Sequence, residues 1–159
     1  MATEALPLQA WPWGQPASPG SLILKDGILY GTTATGGAYG GGTVFQLEPG
    51  PSPAPQPWIQ TILFSFNGST TEGFAPFGPL AMGGKGELVG TTSSTMFELV
   101  PPSASGPPWT EVTLHVFTGA NGDGSGPIGG LLFDPSGTLY GVTEAGGAFN
   151  LGTLYAIKP

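Results

Sequence analysis

The sequence predicts an all-β fold built from repeated four-stranded antiparallel units. Two constant internal offsets and a regular punctuation of Gly- and Pro-rich turns predict it. Residues 58–92, WIQTILFSFNGSTTEGFAPFGPLAMGGKGELVGTT, lie over residues 109–143, WTEVTLHVFTGANGDGSGPIGGLLFDPSGTLYGVT, at an offset of 51 with no gap. Trp58 matches Trp109, Phe66 matches Phe117, Pro76 matches Pro127, Leu80 matches Leu131, and Gly90 matches Gly141. A second offset, of 110, sets GSLILKDGILYGTTATGGAYGGGTVFQLEP (20–49) over GLLFDPSGTLYGVTEAGGAFNLGTLYAIKP (130–159). The middle copy lacks seven residues of the glycine-rich loop and runs from Thr91-Thr92 through Ser93-Ser94 into TMFELVP. Self-similarity at a fixed period of this size marks a repeat architecture.

Each copy parses into strands in the same order. WTEVTLHVF (109–117) places Trp109, Val112, Leu114 and Val116 largely in alternation, as a half-buried strand does. A Gly/Asn/Asp loop follows, then GGLLFD, and the turn Pro135-Ser136-Gly137 joins it to TLYGVTE as a hairpin. A glycine-rich loop leads to GTLYAIKP, which proline stops because it has no N–H for a ladder. Four antiparallel strands per repeat is the build of a propeller blade. The repeats hold eleven strands in the order three, one, three, one, three. Residues 5–13, ALPLQAWPW, are expected to supply a twelfth that completes the sheet of the last copy. The chain divides as an N-terminal arm (1–19), a first repeat with a Pro-rich spacer (20–57), a second repeat (58–108) and a third (109–159). Three blades fall short of the usual four to eight, so the expected fold is a β-propeller-like repeat completed by oligomerisation, as a ring or a filament.

Composition narrows the partners. The 29 Gly and 18 Pro residues occur with 39% hydrophobic and only 8% charged residues, unlike the apolar-poor, charge-rich chains that stay disordered. A net charge of −7, with three lysines and no arginine, disfavours nucleic acid and anionic membrane surfaces. There is no cysteine, which excludes disulfides and thiolate metal sites. The N-terminal MATEALPLQAWPWG has no basic region and no long apolar run, which does not fit an intact signal peptide. No stretch reaches the ~20 apolar residues that span a bilayer, and membrane insertion is not expected.

The units LYGTTATGGAYGGGTVFQLEP and LYGVTEAGGAFNLGTLYAIKP, with the upstream segment Val116-Phe117-Thr118-Gly119-Ala120-Asn121-Gly122-Asp123-Gly124-Ser125-Gly126-Pro127, resemble the GloVer, or "choice-of-anchor", tandem repeat of exported bacterial proteins. The resemblance covers nearly all of residues 20–159. It implies a propeller-like β fold, an extracellular or cell-surface location and no established catalytic activity. The short middle unit and the spacer GPSPAPQPW (50–58) depart from the family pattern.

Individual residues offer few chemical sites. Asn121, Asp123 and Ser125 present oxygens at alternate positions, as a calcium site would, but lack a bidentate glutamate and also fit an ordinary turn. His115 is the only histidine, and no cysteine or second histidine joins it, so a packed or edge-strand role is expected. Asp134, Glu144, Glu87 and Glu98 read as turn and edge carboxylates rather than a glycosidase pair. The glycine run at 36–42 lacks the lysine and helix of a phosphate-binding loop. Asn67-Gly68-Ser69 matches the glycosylation sequon. No cofactor is implied.

The expected function is a non-catalytic extracellular assembly module that self-associates into a homo-oligomer or filament, with Leu6, Leu8, Trp11 and Trp13 at the contact. The alternative is a lectin-like module that binds glycans through Tyr39, Phe149 and Asn150 on the two long glycine-rich loops. A hydrolase is the weaker third.

Overall fold

A computed structural model describes residues 22–51, 58–103 and 108–159. It contains β1 (Ile23–Lys25), β2 (Ile28–Thr33), β3 (Thr43–Pro49), β4 (Trp58–Ser65), β5 (Ala81–Met82), β6 (Leu88–Thr91), β7 (Thr95–Val100), β8 (Thr110–Val116), β9 (Gly124–Phe133), β10 (Leu139–Gly146) and β11 (Leu154–Ile157). The fold is all-β, and among the described residues there is no helix. Three antiparallel sheets form: β1-β2-β3-β4, β5-β6-β7-β8 and β9-β10-β11. None is closed on itself. The expected sequence of three, one, three, one, three strands is present, and each isolated strand joins the sheet before it. Residues 5–13, with the expected twelfth strand and Leu6, Leu8, Trp11 and Trp13, lie outside the described residues.

Turn chemistry sets the register of the outer hairpins. β1 and β2 are joined by the two-residue turn Asp26-Gly27, at φ 51° and 83°, the left-handed pair of a type I′ hairpin. The corresponding turns of the other sheets are one residue longer. The Gly83 N–H donates to the Glu87 carbonyl at 2.9 Å and the Asp134 N–H to the Thr138 carbonyl at 2.9 Å. The offset of 110 therefore slips by one residue before the turn. Leu22, which the sequence sets over Leu132, packs on Gly31 as Leu80 packs on Gly90 and Leu131 on Gly141. Each of these glycines also lies under an aromatic ring, from Phe45, Phe97 and Tyr155 respectively, with no room for a side chain. Burial pushes the Tyr155 phenol up to about 12.

The inner hairpins end on a threonine pair. Hydroxyls meet at 2.9 Å between Thr33 and Thr43, 2.8 Å between Thr92 and Thr95, and 2.9 Å between Thr143 and Thr153. The middle pair persists although its loop is seven residues shorter. Gly73 and Gly124, equivalent by the offset of 51, lie directly on the second and third pairs.

Two departures from the expected strands are local. β9 begins at Gly124, inside the stretch expected to be loop, because Gly124, Ser125 and Pro127 pair with Gly146, Ala145 and Thr143. The alternation expected for Trp109, Val112, Leu114 and Val116 is broken by a bulge opposite Met96 and Phe97. Trp109 packs in the core between the first and second sheets, Leu114 in the core between the second and third, and Val112 and Val116 are exposed.

The core lies between sheets rather than inside one. Val44, Leu63, Phe66, Leu80, Leu88, Phe97 and Leu99 fill the space between the first two sheets. Val89, Met96, Phe117 and Leu139, with Leu131, Phe133 and Tyr155 against them, fill the next. Phe66 meets Phe97 edge-on at 5.0 Å, and Phe117 meets Tyr155 at 4.8 Å, so the residue after each fourth strand reaches the sheet that follows. Removing such a ring leaves a cavity that two sheets cannot both collapse into. Phe66→Ala is expected to cost about 3–5 kcal/mol of stability, whereas Tyr39→Ala on an exposed loop changes it by less than about 0.5 kcal/mol. Urea denaturation of both variants checks this, and equal effects contradict the inter-sheet core.

Candidate functional site

The loop after β8 shows how the candidate calcium ligands and His115 are used. Asp123 folds back over its own turn. Its Oδ2 accepts from the Thr118 N–H at 2.7 Å and the Thr118 hydroxyl at 2.9 Å, and its Oδ1 accepts from the Gly124 N–H at 2.8 Å. The His115 Nε2 lies 3.1 Å from the same Oδ1. Asn121 supplies a left-handed turn residue at φ 54°, and Ser125 packs beside Gly119. The same device occurs one repeat earlier, where the Asn67 N–H donates to Glu72 Oε2 at 3.2 Å. By the offset of 51, Glu72 stands at the place of Asp123 and Asn67 at that of Thr118. The carboxylate is thus a recurrent loop closure. Among the described residues no three His, Cys, Asp or Glu side chains gather as a metal site would need.

The His115–Asp123 contact is a pairing that sequence reading missed. His115 also packs edge-on against Phe117 at 4.6 Å, as Phe64, its equivalent, packs against Phe66 at 5.1 Å. Its place in the repeat is that of a core-flanking ring. The offset of 51 puts His115 over Phe64 and Asp123 over Glu72, which gives their places in the repeat but not their contact.

The other carboxylates also serve turns. Asp134 Oδ1 accepts from the Ser136 N–H at 2.8 Å, the Ser136 hydroxyl at 2.7 Å and the Thr138 N–H at 2.9 Å. The Ser136 hydroxyl first, then the Thr138 N–H, hold its pKa below the ordinary carboxylate value. In the second sheet Gly83 stands at that place, and Glu87 bonds the Lys85 N–H at 2.8 Å from the opposite end of the turn. The two turns, with Lys158 and Pro159, line a cleft of about 490 Å³. Its carboxylates are committed to backbone groups. Asn67 Oδ1 accepts from the Ser69 N–H at 2.8 Å, so the sequon asparagine caps its own turn. Burial first, and then the nearby Glu87, raise the pKa of Glu98.

The loop aromatics are where the repeat places them. Tyr39 is 70% exposed and Phe149 87% exposed, the first on the loop between β2 and β3 and the second on the loop between β10 and β11. Asn150 is at φ 56°, and its Oδ1 accepts from the Gly146 N–H at 3.0 Å, so its side chain holds the loop.

A larger apolar surface lies on the third sheet. Tyr140 pairs with Leu132, and Val142 pairs with Ile128 and Leu154, so these five residues share one face. All five are exposed, Leu132 at 69% and Leu154 at 75%. The strand β11 that edges this face has no outer neighbour among the described residues, whereas β3 and β7 pair with β4 and β8. Such an edge is a template for another strand.

Partial burial works to raise the pKa of Asp123, but the Thr118 N–H, the His115 ring and the Thr118 hydroxyl outweigh it and bring it from 3.8 to about 2. A depressed folded pKa gives stability that is present above pH 3.8 and lost as pH falls toward 2. Asp123→Asn is expected to cost about 1 kcal/mol at pH 7 and to flatten that acid-side loss, read from urea denaturation at neutral and acid pH. An unchanged pH profile contradicts the role given to Asp123. No helix among the described residues is long and apolar enough to cross a membrane. Compared with known proteins, the chain matches no family model, no curated protein and no solved structure.

Proposed function

We propose that this chain is a non-catalytic, extracellular assembly module whose three sheets are the blades of an incomplete propeller. Self-association through a donated N-terminal strand completes it. The observation that carries the reading is the unequal strand count. The first two sheets each receive a fourth strand, β4 and β8, from the repeat that follows, while the third sheet has three among the described residues. An edge of this kind accepts an extended segment by β-augmentation. The segment 5–13, with Leu6, Leu8, Trp11 and Trp13, is the strand we assign to it. The packing of β9 against β5 and β6 of the preceding sheet fits blades that converge on one side, as around a propeller axis. The likeness of the repeat units to the GloVer pattern supports the propeller and the cell-surface setting. The carboxylates Asp123, Asp134 and Glu87 bind backbone N–H groups of their own loops, which supports a role without catalysis.

A second reading, glycan binding, is favoured by one observation: the exposed rings of Tyr39 and Phe149 on equivalent loops, since aromatic faces stack on sugars. The two readings separate experimentally. Removing residues 1–16 is expected to reduce the assembled protein to monomers in light scattering and negative-stain microscopy, and a truncated chain that assembles unchanged overturns strand donation. A glycan array probed with the unmutated protein and with the Tyr39→Ala and Phe149→Ala variants tests the second reading. Binding lost in both variants supports it, and no glycan bound by the unmutated protein eliminates it.

A further inference from the structure

The register of the three sheets gives each residue of the bare face a counterpart whose cover is known. Tyr140 corresponds to Val89 and Tyr30, and Leu154 to Met96 and Val44, because each pair stands opposite equivalent partners in its ladder. Val89, Met96 and Val44 are fully buried, and Tyr30 packs against the first core cluster. In the first and second sheets this face is covered by the following sheet. The covering surface is also the same in kind: Leu80 and Met82 of the second sheet lie in the first cluster, and Leu131 and Phe133 of the third lie in the second.

The first sheet carries that covering surface too. Leu24 pairs with Leu29 as Met82 pairs with Leu88 and Phe133 with Leu139, and Leu22 packs on Gly31 as Leu80 and Leu131 pack on their glycines. Leu22 and Leu24, at the outer side of that surface, are nevertheless 52% and 68% exposed, while Phe45 and Leu47 within it are buried. The described chain thus bears one uncovered face on its third sheet and exposed residues of the matching surface on its first.

We propose that the face formed by Ile128, Leu132, Tyr140, Val142 and Leu154 seats the first sheet of a second copy of this chain, through Leu22 and Leu24, head to tail. The proposal rests on the assembly reading above and names the surface that accompanies strand donation. Connectivity ties the two together. Within the chain, β4 completes the first sheet and leads through Phe66 to the sheet that covers it, and β8 with Phe117 does the same one repeat later. A segment 5–13 donated to the β11 edge of one copy leads, by the same path, to a first sheet lying on that copy's bare face. Its five residues are between 37% and 75% exposed, a clustered apolar surface of the kind that marks an interaction site, and the strand ladder adds to it. Such a contact joins unlike surfaces, so it is heterologous and propagates into a ring or a filament.

The test uses full-length chains. One variant carries Leu132→Glu and Leu154→Glu and the other Leu22→Glu and Leu24→Glu, each checked for native circular dichroism and read by native mass spectrometry with light scattering. Each variant alone is expected to be monomeric at concentrations where the unmutated chain assembles, with the midpoint of assembly moved at least tenfold. Mixed in equal amounts, they are expected to form a one-to-one dimer and nothing larger, because one intact surface remains on each. Folded variants that still assemble alone overturn the proposed face. So does a mixture with no heterodimer. If the face variants assemble while removal of residues 1–16 gives monomers, the face is wrong and strand donation stands. If the truncation assembles while the face variants do not, the face stands and strand donation falls. An unmutated chain that is monomeric at every concentration overturns both.

Discussion

Phe66 and Phe117 each belong to two sheets, and the rest of the structure is arranged around that double membership. The Phe66 N–H donates to the Gly42 carbonyl at 3.0 Å, and the Phe117 N–H donates to the Ser94 carbonyl at 2.8 Å, so the backbone stays with the sheet just completed. The rings turn the other way and meet Phe97 and Tyr155 of the next sheet. A backbone hydrogen bond contributes about 1 kcal/mol and a buried phenylalanine about 2–3 kcal/mol, and here both terms act through one residue. Sheets that are apolar on both faces have no stable form alone. The residue that closes one sheet therefore has to recruit the next, and the repeat of 51 residues is the distance between two such closures.

The threonine pairs explain why the loops beyond them vary. Thr33–Thr43, Thr92–Thr95 and Thr143–Thr153 end their hairpins with nearly the same hydroxyl separation, although ten residues separate two of the pairs and three the other. Loop-closure entropy changes slowly with length, so an added loop outside the pair disturbs little within it. The first and third sheets use that freedom to carry Tyr39 and Phe149 into solvent. The middle sheet does without such a loop, and its Ser93 N–H instead binds the Phe74 carbonyl at 2.9 Å.

The all-β class and the strand order follow closely from the two sequence offsets, because both encode spacing along the chain. What the offsets hide are substitutions that keep a place while changing its chemistry. Asp26-Gly27 makes a tighter turn than Pro135-Ser136-Gly137, and a one-residue slip that an ungapped comparison absorbs moves Leu22 onto Gly31. Glu87 caps from one end a turn that Asp134 caps from the other, so two carboxylates at different positions do one task. His115 reads as a solitary titratable group by residue type, yet it fills the position of Phe64 and finds Asp123 eight residues on. Trp109 and Leu114 reach different cores as their odd spacing requires, whereas the bulge opposite Met96 and Phe97 leaves no mark in the sequence pattern.

The distribution of charge bears on the proposed contact between copies. A chain of net charge −7 repels its own kind, and self-association needs the meeting surfaces to be kept clear of carboxylates. Turns and loops take five of the ten carboxylates. Asp26, Glu87 and Asp134 sit at the outer hairpin turns, while Glu72 and Asp123 close the loops after the fourth strands. The five residues of the bare face and the two leucines proposed to cover it carry no charge. Glu48, Glu98, Glu111 and Glu144 stand on strands, Glu144 two residues beyond Val142 on β10, and the Tyr140 hydroxyl donates to Asp134 Oδ2 at 3.3 Å, so carboxylates border the bare face without standing among its five apolar residues. The same arrangement that buries one sheet on the next leaves, among the described residues, a surface of the same kind exposed on the third sheet.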